Sequence, residues 1–374
     1  MAAPLKDSYG PEVPAVIADM IGRVDPSFRR AAFLRDALDG YGELELMARG
    51  RHVAAALARH LLGDYERAVR TLVASLGPPL GDPEAQGAGM AAFLYLPHVV
   101  FVAERGLGHF EASMAAQHAI TQRFSCELSI RAFIDAEPER TLARLAEWTR
   151  DPSLHVRRLV SEGTRPRLPW APRLRRFVDD PSPVLPLLEA LREDPSGYVR
   201  RSVANNLNDI AKDHPGLVVE VAGRWLDRAS PERRRLVRHG LRTLVKAGDP
   251  AALALLGLDD VPDLEVRDLV VGPAPARIGG AMTARMRLVN GGPGPARAIV
   301  HLRVGFVTAR GGVSPRAFVV KELDLGPGEE AALAKTVSLR QHTTRTHHPG
   351  RHRVAAVVNG REAAATSVEV LAAS

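Results

Sequence analysis

A ten-residue segment occurs twice in the chain, and this repetition narrows the folds that the chain can adopt. DPSLHVRRLV at residues 151–160 matches DPSGYVRRSV at residues 194–203, with seven of ten positions identical. A degenerate third copy begins at Ser230. A helix start at Asp-Pro-Ser, repeated about every 40 residues with two helices per unit, is typical of HEAT-type repeats. The sequence therefore predicts an all-α superhelical HEAT-like repeat solenoid.

The sequence pattern changes after residue 258. About seven short strand-like segments follow, separated by glycine-rich turns, and AIVHLRVGFV and RHRVAAVVN are two of them. This spacing predicts an all-β immunoglobulin-like sandwich of about 100 residues. We therefore predict two domains, a helical one at residues 1–258 and a β-sandwich at residues 263–374.

Positive charge is concentrated in the C-terminal segment. The 374 residues carry a net charge of +7, and residues 262–374 alone hold fifteen Lys and Arg against nine Asp and Glu. A basic segment favours a polyanion as the partner. The chain has one cysteine, no long apolar run and no secretory pattern at its start. We therefore expect a cytoplasmic, nucleoid-associated monomer that does not contact a membrane.

The second copy of the repeat carries a polar stripe beside its apolar one. Arg201, Asn205 and Asp209 recur at a spacing of four, next to apolar residues at helical spacing: Val199, Val203, Leu207 and Ile210. Arg158 and Glu162 occupy the positions of Arg201 and Asn205 in the first copy. The earlier segment RFSCELSIRAF places Arg123, Glu127 and Arg131 at the same spacing, which predicts a third such helix. We expect Glu127, Glu162 and Asp209 to converge on one concave patch.

Two structural explanations of this stripe stay open. Arginine and glutamate four residues apart are the commonest surface ion pair on helices. Asn205 and Asn206 are also compatible with a hydrogen-bond ladder between neighbouring repeats. The segment between the two copies favours a functional interpretation.

That segment, SEGTRPRLPWAPRLRR, predicts a rigid loop around Trp170. Three prolines restrict its backbone, and seven arginines lie within residues 157–176. A tryptophan here could also fill a hydrophobic gap. A rigid aromatic ring among guanidinium groups and carboxylates suits a nucleic acid that carries a cationic base.

At these residues the sequence resembles a known family. HVRRLVSEGTRPRLPWAPRL and YVRRSVANNLNDIAKDHP are similar to the AlkC branch of bacterial alkylpurine DNA glycosylases, and the similarity extends over the whole chain. The resemblance implies a monofunctional hydrolase that removes 3-methyladenine or 3-methylcytosine from DNA without flipping the base into a deep pocket, unlike most glycosylases. It also implies the following site residues: the acids Glu127, Glu162 and Asp209, the aromatic Trp170 and the DNA-contacting Arg158.

The chemistry of such a reaction fits these residue types. An N3-methylated base is already cationic and leaves as a neutral molecule, so it needs no general acid. The enzyme must stabilise positive charge on the sugar and place a water molecule. We assign the water and the sugar charge to Asp209, assistance to Glu162, the cationic base to Glu127, and packing against sugar or base to Trp170. The amides near Asp209 are interpreted as orienting its carboxylate away from Arg201.

The predicted DNA contacts fall in two groups. The helical part contributes Arg158, Arg165, Arg167 and Arg201, and the segment QHTTRTHHPGRHRV contributes Arg345, His347, His348 and Arg351. His342, His347, His348 and His352 would allow a metal site, but a loop that touches phosphates or the minor groove is the better interpretation. We expect neither a metal nor a cofactor, and the expected partner is double-stranded DNA that contains alkylated bases.

Two rival functions share these features. The first is a HEAT-repeat scaffold that binds DNA or protein without catalysis, because repeat folds serve many functions. The second is a glycosylase with another lesion range, including bulky adducts.

Overall fold

The chain folds into a series of helices followed by a β-sandwich, as the sequence predicts. The structure is a computed structural model, and it describes residues 5–61, 63–81, 90–258, 263–341 and 346–373. Packing divides the chain into two compact units, Met1–Asp213 with Ser230–Gly240, and His214–Ala229 with Leu241–Ser374. The domain boundaries drawn from the sequence stay a prediction.

The α-helices of the described residues are mostly 5 to 15 residues long. They are α1 (Glu12–Val24), α2 (Arg30–Leu38), α3 (Leu46–His60), α4 (Tyr65–Ala74), α5 (Leu96–Arg105), α6 (Phe110–Thr121), α7 (Ser129–Ala136), α8 (Pro138–Trp148), α9 (Leu154–Gly163), α10 (Arg175–Asp179), α11 (Leu185–Leu191), α12 (Gly197–Ile210), α13 (Pro215–Leu226), α14 (Pro231–Gly240), α15 (Arg242–Ala247) and α16 (Pro250–Leu255). None of these helices is long and apolar enough to cross a membrane.

The two repeat copies form equivalent helices, α9 and α12. In each copy the aspartate side chain accepts a hydrogen bond from the serine amide two residues later, at 2.8 Å for Asp151 and 2.9 Å for Asp194. The aspartate thus closes the turn, and neither serine caps its helix through its side chain. The apolar stripe of α12 is buried as predicted, with Val199, Val203, Leu207 and Ile210 at most 1% exposed. Burial of each such side chain contributes about 1.5–3 kcal/mol.

The first arginine of the VRR sequence belongs to this turn. Arg157 donates to the carbonyl oxygens of Asp151 and Pro152, and Arg200 donates to those of Asp194 and Pro195. Arg157 also pairs with Asp194 through two hydrogen bonds, of 2.6 and 3.1 Å. One arginine therefore closes its own turn and links its repeat to the next.

The β-sandwich consists of two antiparallel layers in which one short edge strand pairs in parallel. The strands are β1 (Leu264–Gly272), β2 (Ala276–Arg277), β3 (Ala281–Asn290), β4 (Ala296–Val307), β5 (Val313–Leu325), β6 (Glu330–Ser338), β7 (Gly350–Val358) and β8 (Arg361–Leu371). One sheet has the order β1-β3-β6 and the other has the order β2-β8-β7-β4-β5. Alternate residues of both sheets, such as Met286 and Val304, form the core between the layers.

A buried histidine makes the stability of the sandwich sensitive to pH. His301 on β4 is 2% exposed, and neither of its ring nitrogens has a hydrogen-bond partner among the residues that the structure describes. Burial lowers its pKa to about 4, and the nearby positive charges of Lys246 and Arg303 act in the same direction. Because the unfolded chain binds this proton more readily, the stabilising contribution is present above pH 6.5 and is lost as the pH falls toward 4.

We expect His301→Gln to remove most of this dependence. The loss for the native protein is about 3 kcal/mol between pH 7 and pH 4, because a pKa difference of one unit corresponds to 1.36 kcal/mol. Denaturant unfolding followed at several pH values measures it. An equal loss of unfolding free energy in both proteins would contradict the assignment to His301.

Candidate active site

The three carboxylates singled out in the sequence lie in one row, separated by two arginines. Arg158 Nη1 contacts Glu127 Oε2 at 3.0 Å, and its Nη2 lies 3.6 Å from Glu162 Oε1. Arg165 Nη1 contacts the same Glu162 oxygen at 2.6 Å, and its Nε contacts Asp209 Oδ2 at 2.8 Å. The expected convergence of the three acids is therefore present as a continuous row of ion pairs, which we call the acid row.

Glu127 reaches the acid row from a turn and not from a helix. The sequence pattern placed Arg123, Glu127 and Arg131 on one helix, but α6 ends at Thr121 and α7 begins at Ser129. This prediction is wrong because a turn around the buried Cys126 separates the three residues. Arg123 instead donates to the carbonyl oxygens of Gly77 and Ala119.

Glu162 is the central acid of the row and is held in its ionised form. Its side chain is almost fully buried, and Ser202 Oγ on α12 donates to its Oε2 at 2.7 Å. Burial alone would raise the pKa of this carboxyl, but the charges of Arg158 and Arg165 outweigh it and hold the pKa below its usual range. The group therefore offers a fixed negative charge and no proton.

Asp209 ends the row on α12. It is 1% exposed, and Lys212 Nζ contacts its Oδ1 at 2.8 Å while Arg165 holds Oδ2. A carboxylate offers up to about four acceptor positions, so these two contacts leave acceptor capacity on Asp209. The structure differs here from our interpretation of the nearby amides, because contacts to neighbouring helices account for two of them.

Asn206 and Asn205 connect α12 to the helices on either side. Asn206 Nδ2 donates to Ser161 O at 2.8 Å and to Thr164 Oγ1 at 3.0 Å, which ties α12 to α9. Asn205 Oδ1 lies 3.0 Å from His239 Nε2 on α14. The hydrogen-bond ladder between repeats, which the sequence left open, is the better explanation of both residues.

Trp170 stands at the tip of the loop between α9 and α10. The residue is 61% exposed, and its backbone has a φ of +65°, a left-handed conformation that is unusual for a bulky residue. One side of the ring packs against Phe93 at a centroid distance of 6.3 Å, and Phe93 packs against Phe124 at 5.0 Å. The alternative in which Trp170 fills a hydrophobic gap does not hold.

Arg131 on α7 holds the backbone of this loop in place. It donates to three loop carbonyl oxygens, at 3.2 Å to Gly163, 2.6 Å to Arg165 and 2.6 Å to Pro172. Burial lowers its pKa to about 10, so the group is still charged at neutral pH. The start of the loop lies so close to α7 that a Cβ added at Gly163 would be 2.5 Å from the side chain of Ile130.

Two arginines that we expected to hold phosphates have partners within the protein. Arg165 is 8% exposed and faces the two acids described above. Arg167 forms a bidentate pair with Asp213, with distances of 2.8 and 2.6 Å. Their donors point to carboxylates of the chain, so the structure does not present them as phosphate ligands.

The other two predicted DNA contacts of the helical part, Arg158 and Arg201, differ in exposure. The Arg158 guanidinium lies over the Tyr198 ring at 4.9 Å, and its side chain is 17% exposed. Burial would lower the pKa of Arg158, but the charges of Glu127 and Glu162 raise it above the usual range. Arg201, one turn after Tyr198, is exposed and remains a candidate phosphate ligand.

The candidate contacts in the β-sandwich do not form one exposed group. His347 is 3% exposed and packs against Phe306 at a ring-centroid distance of 5.2 Å. Contrary to the prediction, its side chain is therefore not presented to a phosphate. His348 is half-buried, whereas Arg351 is exposed and donates to Ser367 Oγ at 2.8 Å. Arg345 lies outside the described residues.

The alternative of a metal site concerned four histidines of this segment. Within the described ranges, no three histidine, cysteine, aspartate or glutamate side chains group as metal ligands, and His342 lies outside those ranges. His352 is buried, and its Nε2 lies 3.1 Å from the carbonyl oxygen of His348.

The sequence patterns did not identify several residues that shape the site. Ser202 and Tyr198 occupy the second repeat, yet their partners Glu162 and Arg158 are about 40 residues earlier. Lys212 has a local signal, because it follows Asp209 by three residues on the same turn. Arg131 was placed among the acids, whereas its actual partners are backbone oxygens that no side-chain pattern reveals.

Comparisons with known proteins agree with this architecture. The family described as "Uncharacterised protein YhaZ, C-terminal Ig-like domain" matches residues 265–372. The "Uncharacterized protein YhaZ" of Bacillus subtilis (strain 168) is 34% identical over 359 residues, which is 96% of this chain and 97% of that protein. The structure of Pseudomonas fluorescens alkylpurine DNA glycosylase AlkC bound to DNA with an abasic site analogue matches with a TM-score of 0.91 and 34% identity. It covers 99% of this chain and 100% of that one.

The fold and the acid row thus occur in a chain that is homologous over its full length to a DNA glycosylase. This chain belongs to the AlkC and YhaZ family of helical-repeat proteins with a C-terminal immunoglobulin-like domain.

The clamp formed by Arg131 makes a direct prediction about stability. Arg131→Met removes the partners of three loop carbonyl oxygens, and we expect the free energy of unfolding to fall by about 3 kcal/mol. Urea unfolding of both proteins measures this difference. The control is Arg176→Met in α10, whose partner Asp135 is exposed, and we expect it to change stability by less than about 1 kcal/mol. Equal effects of the two substitutions would contradict the clamp.

Proposed function

We propose that this protein is a DNA glycosylase that hydrolyses the N-glycosidic bond of cationic N3-alkylated bases, such as 3-methyladenine and 3-methylcytosine, in double-stranded DNA. The observation that carries this proposal is the acid row, whose Arg165 lies in the same loop as the exposed Trp170, in a chain homologous over its whole length to AlkC. Glu162 is held ionised and offers no proton, which suits a base that leaves as a neutral molecule and needs no general acid.

The proposed roles follow from the positions of the acids. As the cationic base departs, positive charge develops on the sugar, and fixed carboxylates stabilise it without reorganisation. Asp209 retains acceptor capacity, which suits a water molecule aimed at the sugar. Glu162 adds its negative charge, and Glu127 stands near the cationic base. Trp170 offers its exposed ring face to the sugar or the base, through packing and cation–π attraction.

This chemistry does not require the base to leave the duplex for a deep pocket. The loop tip presents Trp170 at the surface, where the residue is 61% exposed. A projecting ring suits contact with a nucleotide that stays in the helix. We therefore propose that the damaged base is released without being flipped, unlike in most glycosylases.

The function is tested by base release from a duplex that contains one 3-methylcytosine. We expect the wild type to release the base, and Asp209→Asn to lower the rate constant by more than about 100-fold, because the amide loses the charge that stabilises the transition state. DNA binding and folding should persist in this variant.

The matched control is Asp179→Asn, which changes an exposed aspartate at the end of α10 in the same way. We expect it to release base at the wild-type rate. An active Asp209→Asn would overturn the assignment of the water to Asp209. DNA binding without release of 3-methylcytosine or 3-methyladenine by the wild type would favour a non-catalytic scaffold or another lesion range.

We also propose that Arg201 binds a phosphate of the duplex. Arg201→Gln should weaken binding to damaged and undamaged duplexes alike, and it should reduce the slope of log K against log salt by about one. Fluorescence anisotropy at several salt concentrations measures both effects. A slope that stays unchanged would place Arg201 outside the DNA contact.

A further inference from the structure

Arg165 is the residue that joins two of the proposed catalytic acids. Its Nη1 lies 2.6 Å from Glu162 Oε1, and its Nε lies 2.8 Å from Asp209 Oδ2. A guanidinium is planar and rigid, with its donors at fixed positions. The distance between the two carboxylates is therefore set by the dimensions of one side chain.

The backbone of Arg165 is itself fixed. Its amide donates to the carbonyl oxygen of Glu162 at 3.3 Å, and its own carbonyl oxygen accepts a hydrogen bond of 2.6 Å from Arg131. The loop that carries Trp170 continues from this point. The two acids and the start of the Trp170 loop consequently share one anchor.

We propose that Arg165 is a positioning residue, which holds Glu162 and Asp209 at the spacing that the reaction requires. This inference rests on the proposed function, since it assigns a role within the same site. Arg165 acts through the two acids and does not touch the DNA. This role differs from the phosphate contact that the sequence predicts for Arg165.

The energetics favour this role over phosphate binding. Arg165 and both of its partners are less than 10% exposed. If Arg165 turned toward a phosphate, each of the two buried carboxylates would lose one of its two cationic partners, and such a loss is unfavourable for charges held away from water. One phosphate contact does not offset such a loss.

The experiment compares Arg165→Gln with the wild type, in single-turnover excision and in binding to a duplex with an abasic-site analogue. We expect the rate constant to fall about 100-fold, the effect of misplacing a catalytic group by about 1 Å. The dissociation constant should change less than about threefold, because no phosphate contact is removed. A phosphate ligand would give the opposite pattern, with weaker binding, a smaller salt slope and a nearly unchanged rate constant.

Lysine at this position separates the two roles further. A lysine binds phosphate well as a point charge, but it cannot hold two carboxylates in the geometry of a guanidinium fork. We therefore expect Arg165→Lys to recover only part of the lost rate. Full recovery of the rate by lysine would overturn the positioning role.

The control is Arg157→Gln on α9, the helix that precedes Arg165, and it also breaks a largely buried bidentate pair, with Asp194. We expect both glutamine variants to lose thermal stability, but only Arg165→Gln to change the pH profile. Because Arg158 and Arg165 keep the pKa of Glu162 low, loss of Arg165 should move the acid limb of the rate constant to higher pH. An equal shift in both variants would contradict the inference.

A second readout keeps this inference separate from the proposed function. The carboxyl titration of Glu162 is followed by NMR of glutamate labelled with carbon-13, and its signal is identified by its loss in Glu162→Gln. The titration midpoint should be higher in Arg165→Gln than in the wild type, whether or not base is released. If the wild type releases no base, the proposed function fails, and an unchanged midpoint would independently overturn the placement of Arg165 between the acids.

Discussion

Three carboxylates packed into one row repel one another, and the cations between them are the constraint on which this site depends. Without Arg158 and Arg165, burial and mutual repulsion would favour protonation of at least one acid. Both arginines come from the segment that starts with α9, one on the helix and one just after it. The same segment leads into the Trp170 loop, so the ionisation of the acids and the placement of the aromatic ring depend on one stretch of chain.

In the first repeat copy, one arginine joins the repeats and the next arginine in the chain belongs to the acid row. The first arginine of each VRR sequence closes its own turn, and in the first copy it also pairs with the aspartate of the next. In the first copy the second arginine, Arg158, lies one position further around the helix and contacts Glu127 and Glu162. Two adjacent arginines of the first copy therefore have different partners, since Arg157 joins the repeats and Arg158 belongs to the acid row.

Local patterns in the sequence predicted most of the fold but fewer of the contacts. The buried stripe of α12 and the strands of the sandwich follow from periodicity, which depends only on nearby residues. Spacing alone placed Glu127 on a helix, because it does not register the turn around Cys126. The ion pairs of Arg165 and Arg167 join residues 44 and 46 positions apart, so their partners become visible only once the repeats are stacked. The burial of His347 was missed for a similar reason, since it depends on contact with Phe306 of β4, about 40 residues earlier in the chain.

The conformation of Trp170 is costly by itself, and this cost favours a role in binding. A bulky residue at positive φ is strained by about 1–3 kcal/mol. Burial of the indole offsets little of this strain energy, because the residue is 61% exposed. Arg131 and Arg167 hold the loop from two sides, through three backbone oxygens and through Asp213. A chain that needed only to connect α9 with α10 would not require two clamps around a strained, exposed ring. Clamps of this kind are explained when the ring must keep one orientation before any partner arrives, since preorganisation lowers the entropy that binding costs.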